Sequence, residues 1–137
     1  MDEPAFSIRS NSSNRVVVFS GFNRDHETLR IDINGHGISV GSTVSVYTDA
    51  FGLDRYFKEL AGISRPWSGA RNWGTIENDF SISATSTSLG EVTFRISLCA
   101  LQGAPEEWRV EVGLTADFGQ LPKFAAVSGT FFNESVT

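Results

Sequence analysis

Three successive runs of alternating apolar and polar residues between Phe80 and Leu114 constrain the fold of this chain more than any other feature. Phe80, Ile82 and Ala84 alternate with Ser81, Ser83 and Thr85. Val92, Phe94, Ile96 and Leu98 then alternate with Thr93, Arg95 and Ser97, and Trp108, Val110, Val112 and Leu114 with Arg109, Glu111 and Gly113. Neighbouring side chains on an extended strand point to opposite faces, so a period of two predicts three antiparallel strands with one packed and one wet face. Gly90, and Gly103 with Pro105, mark the turns between them. The apolar face needs a cover, and the rest of the chain has to supply it.

Upstream, Phe6 and Ile8 alternate with Ser7 and Arg9, and Arg15 to Ser20 is rich in β-branched residues. Asn11-Ser12-Ser13-Asn14 between them reads as a turn. After a polar loop from Ser20 to Glu27, Leu29, Ile31 and Ile33 form another alternating run. Asn34-Gly35 predicts a tight hairpin turn, and Ile38, Val40, Val44 and Val46 predict the returning strand, with a bulge at Gly41-Ser42. The period then changes. Phe51, Leu53, Tyr56, Phe57 and Leu60 recur at helical spacing opposite Asp54, Arg55, Lys58 and Glu59. Thr48 or Asp49 is suited to cap that helix, with Gly62 and Pro66 to end it. A second helix is predicted from about Phe118 to Phe131, with Leu121, Phe124, Ala125, Val127 and Phe131 near one face and Pro122 in its first turn. The fold class is α+β: a single twisted, mostly antiparallel sheet of about seven strands with two helices on one face, in the order ββββ-α-βββ-α. Residues 1–137 read as a single domain without internal repeats.

At 137 residues, with 11 Phe and 3 Trp, the chain can bury a core without disulfides. A net charge of −5 repels nucleic-acid phosphates and anionic lipid, and suits a basic protein partner. Cys99, the only cysteine, has no intramolecular partner, and Met1 to Ser10 lack the basic start and apolar run of a leader, so the expected compartment is the cytoplasm. No apolar run is long enough to cross a membrane as a helix. The Asn11-Ser12-Ser13 and Asn133-Glu134-Ser135 sequons are accordingly read as chance matches.

Between Ser64 and Asn78 lies a long connection heavy in aromatics, carrying Trp67, Arg71, Trp73 and Glu77. Tryptophan and arginine dominate interface energetics when exposed, so these four are the candidate binding residues. The competing reading is a loop folded back over the core, because burying an indole removes much apolar surface from water. Trp73 in that reading begins a strand of the sheet.

The run Trp67-Ser68-Gly69-Ala70-Arg71-Asn72-Trp73, followed by Ile76-Glu77, the Phe80 to Thr85 strand and Gly90-Glu91-Val92-Thr93-Phe94, resembles a family of small bacterial proteins known only as a domain of unknown function. The likeness runs from the Phe57 helix to the Trp108 strand. It implies a small α+β protein with no established activity. Some families of comparable size and strand-helix order are immunity proteins that neutralise a toxin by binding it, an analogy of architecture alone.

Chemistry-bearing clusters are sparse. Asp25, His26 and Glu27, with His36, lack the spacing of a zinc site, and His36 belongs at a hairpin tip. Cys99 has no neighbouring histidine to activate it. Gly62, Gly69 and Gly74 stand apart without the lysine or the helix that phosphate binding requires. No catalytic residue, metal site or cofactor is expected. The first functional expectation is a non-enzymatic protein-binding module, with a partner such as a toxin; a homo-oligomer through a sheet edge is also open to it. The second is a small-molecule binder that uses the Trp67 to Trp73 loop for a sugar or aromatic ligand. The third is an enzyme using Asp25 and His26.

Overall fold

Eight strands, all antiparallel, form two sheets of four in the computed structural model, which describes residues 4–134. The sequon at Asn133 ends outside the described residues, as does the start of the segment read for a leader. The first sheet is a meander of β1 (Ala5–Arg9), β2 (Val16–Asn23), β3 (Thr28–Gly35) and β4 (Ile38–Ser45). Helix α1 (Gly52–Ala61) follows. A second meander comprises β5 (Arg71–Gly74), β6 (Phe80–Ser86), β7 (Glu91–Ala100) and β8 (Trp108–Asp117). A short 3-10 turn (Phe118–Gln120) leads into α2 (Leu121–Glu134). The order is therefore ββββ-α-ββββ-α, and each half repeats the same sequence of elements.

This corrects the expectation of one seven-stranded sheet roofed by two helices. The extra strand is β5, whose four residues pair Arg71 with Ala84 and Trp73 with Ile82. Four residues are too few to show a period. The chain splits because β5 returns beside β6 instead of β4, so each meander pairs only with itself. With two inner faces to cover, the sheets share one core with both helices. Ladder register aligns apolar rows across each sheet, such as Ile8, Val17, Ile33 and Val40 in the first and Trp73, Ile82, Ile96 and Val112 in the second. Phe94 is buried and Arg95 exposed, as the alternation requires. Phe19 of the first sheet meets Phe80 of the second edge to face at 6.0 Å between centroids.

Helix α1 packs against α2 and β5, and α2 also packs against β1. Between the helices, the buried Asp54 carboxylate accepts from Ser128 Oγ at 2.9 Å and from Lys58 Nζ at 2.7 Å. A buried carboxylate is costly unless paired, and here both of its oxygens have donors.

Three local details differ from the sequence-based expectation. The bulge falls in β2, where the register shifts between Ser20 and Asn23 around Gly21 at φ +58°. That shift turns Phe22 inward, against Phe132 at 4.8 Å, so the first half of the segment expected as loop, Ser20 to Asn23, is strand. Gly41 instead lies opposite Asp32 in unbroken register, and its missing side chain leaves room for the Arg30–Asp32 ion pair. The β3–β4 turn is His36-Gly37, both at positive φ, two residues beyond the expected Asn34-Gly35.

Gly35 is needed for a separate reason: it sits at φ +101°, and a methyl group there would overlap the Asn14 carbonyl in the β1–β2 turn. Gly35→Ala is expected to cost about 2 to 4 kcal/mol. Gly37→Ala, with open space around it, is expected to cost about 1 kcal/mol. Urea denaturation of the two variants measures the difference.

Candidate functional site

The four residues singled out in the aromatic connection do not converge. Trp67 is buried, its Nε1 donating to the Ala84 carbonyl at 3.3 Å and its ring 6.2 Å from that of Phe118. Arg71 is exposed at the start of β5, where its carbonyl accepts from the Tyr56 hydroxyl at 2.9 Å. Burial pushes that phenol's pKa well up. Trp73 is half-buried in mid-strand, and Glu77 is exposed in the β5–β6 turn, its carbonyl accepting from Gln102 Nε2 at 3.1 Å. Trp67 thus closes the core, while Trp73 alone reaches a side-chain cluster.

That cluster lies where the β4–α1 connection meets β5. Asp49 accepts two hydrogen bonds from the Arg55 guanidinium, at 2.9 and 2.7 Å, and a third from Trp73 Nε1 at 3.0 Å. The fork from Arg55 holds the Asp49 carboxyl below the usual range against the opposing pull of burial, and Trp73 adds to the effect. Asp49 in turn raises the Arg55 pKa. A side chain at Gly52 would run into both the Asp49 carboxylate and Trp73 Nε1, so glycine there is what lets the pair form. The sequence offers Thr48 or Asp49 as the cap of α1, and neither serves. The helix N-cap is instead Phe51, without a side-chain cap bond, and the carboxylate is diverted to tie the connection to β5.

The backbone around the cluster is strained. Thr48, a β-branched residue, sits at φ +69°, and Glu27 at φ +52°. They hold each other: the Thr48 N–H donates to the Glu27 carboxylate at 3.2 Å, and the Val46 N–H to the Glu27 carbonyl at 2.7 Å. Strain of this kind persists only where the surroundings over-determine it, and it concentrates at functional sites. The cleft alongside measures about 180 Å³, lined by Thr48, Asp49, Trp73 and Thr75, with Tyr47 and Ile76 on its rim. Those two rim side chains are 58% and 66% exposed. A second cleft of about 260 Å³ lies between α1 and β5, over Tyr56, Ile63 and Arg71.

Other candidates lie elsewhere. His26 is exposed in the β2–β3 turn, its N–H donating to Asn23 Oδ1 at 3.0 Å, and His36 is exposed at the hairpin tip. Cys99 is buried, with its thiol donating to the Asn78 carbonyl at 3.6 Å. Among the described residues no three His, Cys, Asp or Glu side chains come together as a metal site, and no helix is long and apolar enough to cross a membrane. Sequence reasoning missed Asp49 and Arg55 because they are joined outside any helical spacing. The legible signal was Thr48-Asp49 ahead of a helix, which admits two uses.

Because folding lowers the Asp49 pKa, the stability from its ionised form is present above the unfolded value and is lost as pH falls through the folded one. Asp49→Asn is expected to be less stable than the parent at pH 7, by less than about 1 kcal/mol since the pair is partly exposed. The gap should narrow below about pH 4. Thermal melts of both proteins across pH 2 to 7 test this, and a gap that is constant with pH would refute it.

No curated protein matches the chain. A family of unknown function, DUF6228, matches across residues 8–135, which takes in both meanders, both helices and most of the first hairpin as well as the aromatic connection. On that coverage the chain belongs to this family of unknown function, DUF6228.

Proposed function

We propose that this chain is a non-enzymatic protein-binding module of the toxin-neutralising kind, and that it contacts its partner through the rim of the Asp49 cluster. The carrying observation is the pairing of a rigid base with an exposed apolar rim. Asp49, Arg55 and Trp73 lock the β4–α1 connection, while Tyr47 and Ile76 stand out into solvent on either side of the cleft. An aromatic and an aliphatic anchor on a pre-organised base lose little entropy on binding. The net charge of −5 favours a basic partner.

A small-molecule ligand for the Trp67 to Trp73 loop is the weaker reading. The two nearby clefts, at about 180 and 260 Å³, fall below the roughly 300 to 1,000 Å³ of ordinary ligand sites. Trp67 faces the core and lends neither of them a wall.

Co-expression with the products of genes adjacent to its own tests the proposal. A toxic neighbour should be silenced by the parent chain, and binding should weaken roughly a hundredfold in Tyr47→Ala/Ile76→Ala, since rim anchors of this type contribute about 1 to 2 kcal/mol each. Recovery of no partner, or unaltered binding by the double variant, counts against it.

A further inference from the structure

The amino-terminal strand β1 is an edge. Among the described residues it pairs with β2 on one side only, in a register that runs from Ala5 with Ser20 to Arg9 with Val16. Antiparallel ladders alternate between residues bonded to the partner and residues whose backbone groups point away. The Ser10 N–H donates to the Arg15 carbonyl, so even-numbered residues bond toward β2. Ala5, Ser7 and Arg9 therefore turn their N–H and C=O groups outward. Asn11, on the same parity, shows what those groups seek: its N–H donates to the Thr115 carbonyl of β8 at 2.9 Å. Strand β8 satisfies the edge at that end, and among the described residues no strand pairs with the rest.

Beside the open length runs a groove of about 400 Å³ between β1 and α2. Its β1 wall is Ala5, Phe6, Ser7 and Arg9, of which Ala5, Ser7 and Arg9 carry outward backbone groups, and its other wall is Gln120 of the 3-10 turn with Lys123, Phe124 and Val127 of α2. A second hollow of about 510 Å³ continues it past Ala5 and Val127 toward Thr130 and Phe131. The groove thus offers a ladder of hydrogen-bonding groups, an apolar floor from Phe6 and Phe124, and a charged end. In a chain of net charge −5, the charged side chains at that end are both cations, Arg9 and Lys123. Among the described residues neither is in an ion pair.

We propose that this groove receives an extended segment of another protein, added to β1 as a fifth strand of the first sheet. The segment is apolar at alternate positions, which face Phe6, Phe124 and Val127, and carries an acidic side chain that meets Arg9 and Lys123. Main-chain bonds give such strand addition its affinity, and alternate side chains give it specificity. Five residues of β1 span about 17 Å, so a segment of that length fills the open edge. The site is separate from the Tyr47–Ile76 rim and stands or falls independently of it.

Selection from a phage-displayed library of random peptides on the full chain tests the proposal. The enriched peptides should alternate apolar residues and include Asp or Glu. Ser7→Pro removes one outward N–H while leaving the bonds to β2 in place, which an edge strand tolerates. It should weaken the selected peptides roughly tenfold or more with little change in melting temperature. Arg9→Glu/Lys123→Glu, both exposed positions, should weaken them by a similar factor and serves as the deciding variant if Ser7→Pro fails to fold. The proposal is overturned if the enriched peptides are basic, if they bind the variants as well as the parent, or if none is enriched. Sedimentation of the parent as a dimer that Ser7→Pro or the charge variant dissolves would also overturn it, by assigning the edge to a second copy.

Discussion

Phe57 is the contact on which the arrangement of the two sheets depends. Its ring, fully buried on α1, lies within 6.5 Å of Phe6 and Phe19 from the first sheet, Phe94 from the second and Phe124 from α2. A four-stranded meander with one greasy face cannot hold that face in water, so each half is unstable until the other covers it. A buried phenyl side chain is worth about 3 to 5 kcal/mol by truncation, against less than about 1 kcal/mol for a partly exposed ion pair. The Arg30–Asp32 and Arg55–Asp49 pairs are partly exposed, whereas Lys58–Asp54 has a buried partner. Aromatic packing therefore decides the architecture, and the charges adjust its surface.

Periodicity made the elements legible and said little about how they assemble. The alternations of β6 to β8 and of β1 to β4, and the 3.6-residue spacing of α1, are local properties that any cover would satisfy, and the structure has all of them. Whether the strands join one sheet or two turns on β5, where Arg71 and Gly74 hide the period that Trp73 alone could not declare. The Gly21 bulge was hidden likewise, because it reverses parity and makes Phe22 look out of step with Phe19. Polar residues near a helix start were read by their commonest use. Asp49 serves another, and its partner Trp73 is 24 residues away.

The candidate site follows from the same geometry. It lies on the connection that carries the chain from one meander to the other, where Thr48, held by Glu27 of the β2–β3 turn, takes a backbone angle that a plain strand or helix would not need. Arg55 and Trp73 pin that connection from α1 and β5 respectively. Aromatic residues of the segment between α1 and β6 divide between two tasks, Trp67 to the interior and Trp73 to the cluster. Composition alone could not separate them.

Hairpins join every neighbouring pair of strands, so almost all ladder bonds close over short loops, and the contact order within each half is low. What joins the halves is different in kind: ring contacts, helix against helix, and a few bonds such as Asn11 to Thr115 across more than 100 positions of chain. Each meander can zip early and cheaply, whereas docking must await the encounter of both. The loop-closure cost of the fold is therefore concentrated in the contacts between the halves, the ring contacts of Phe57 among them.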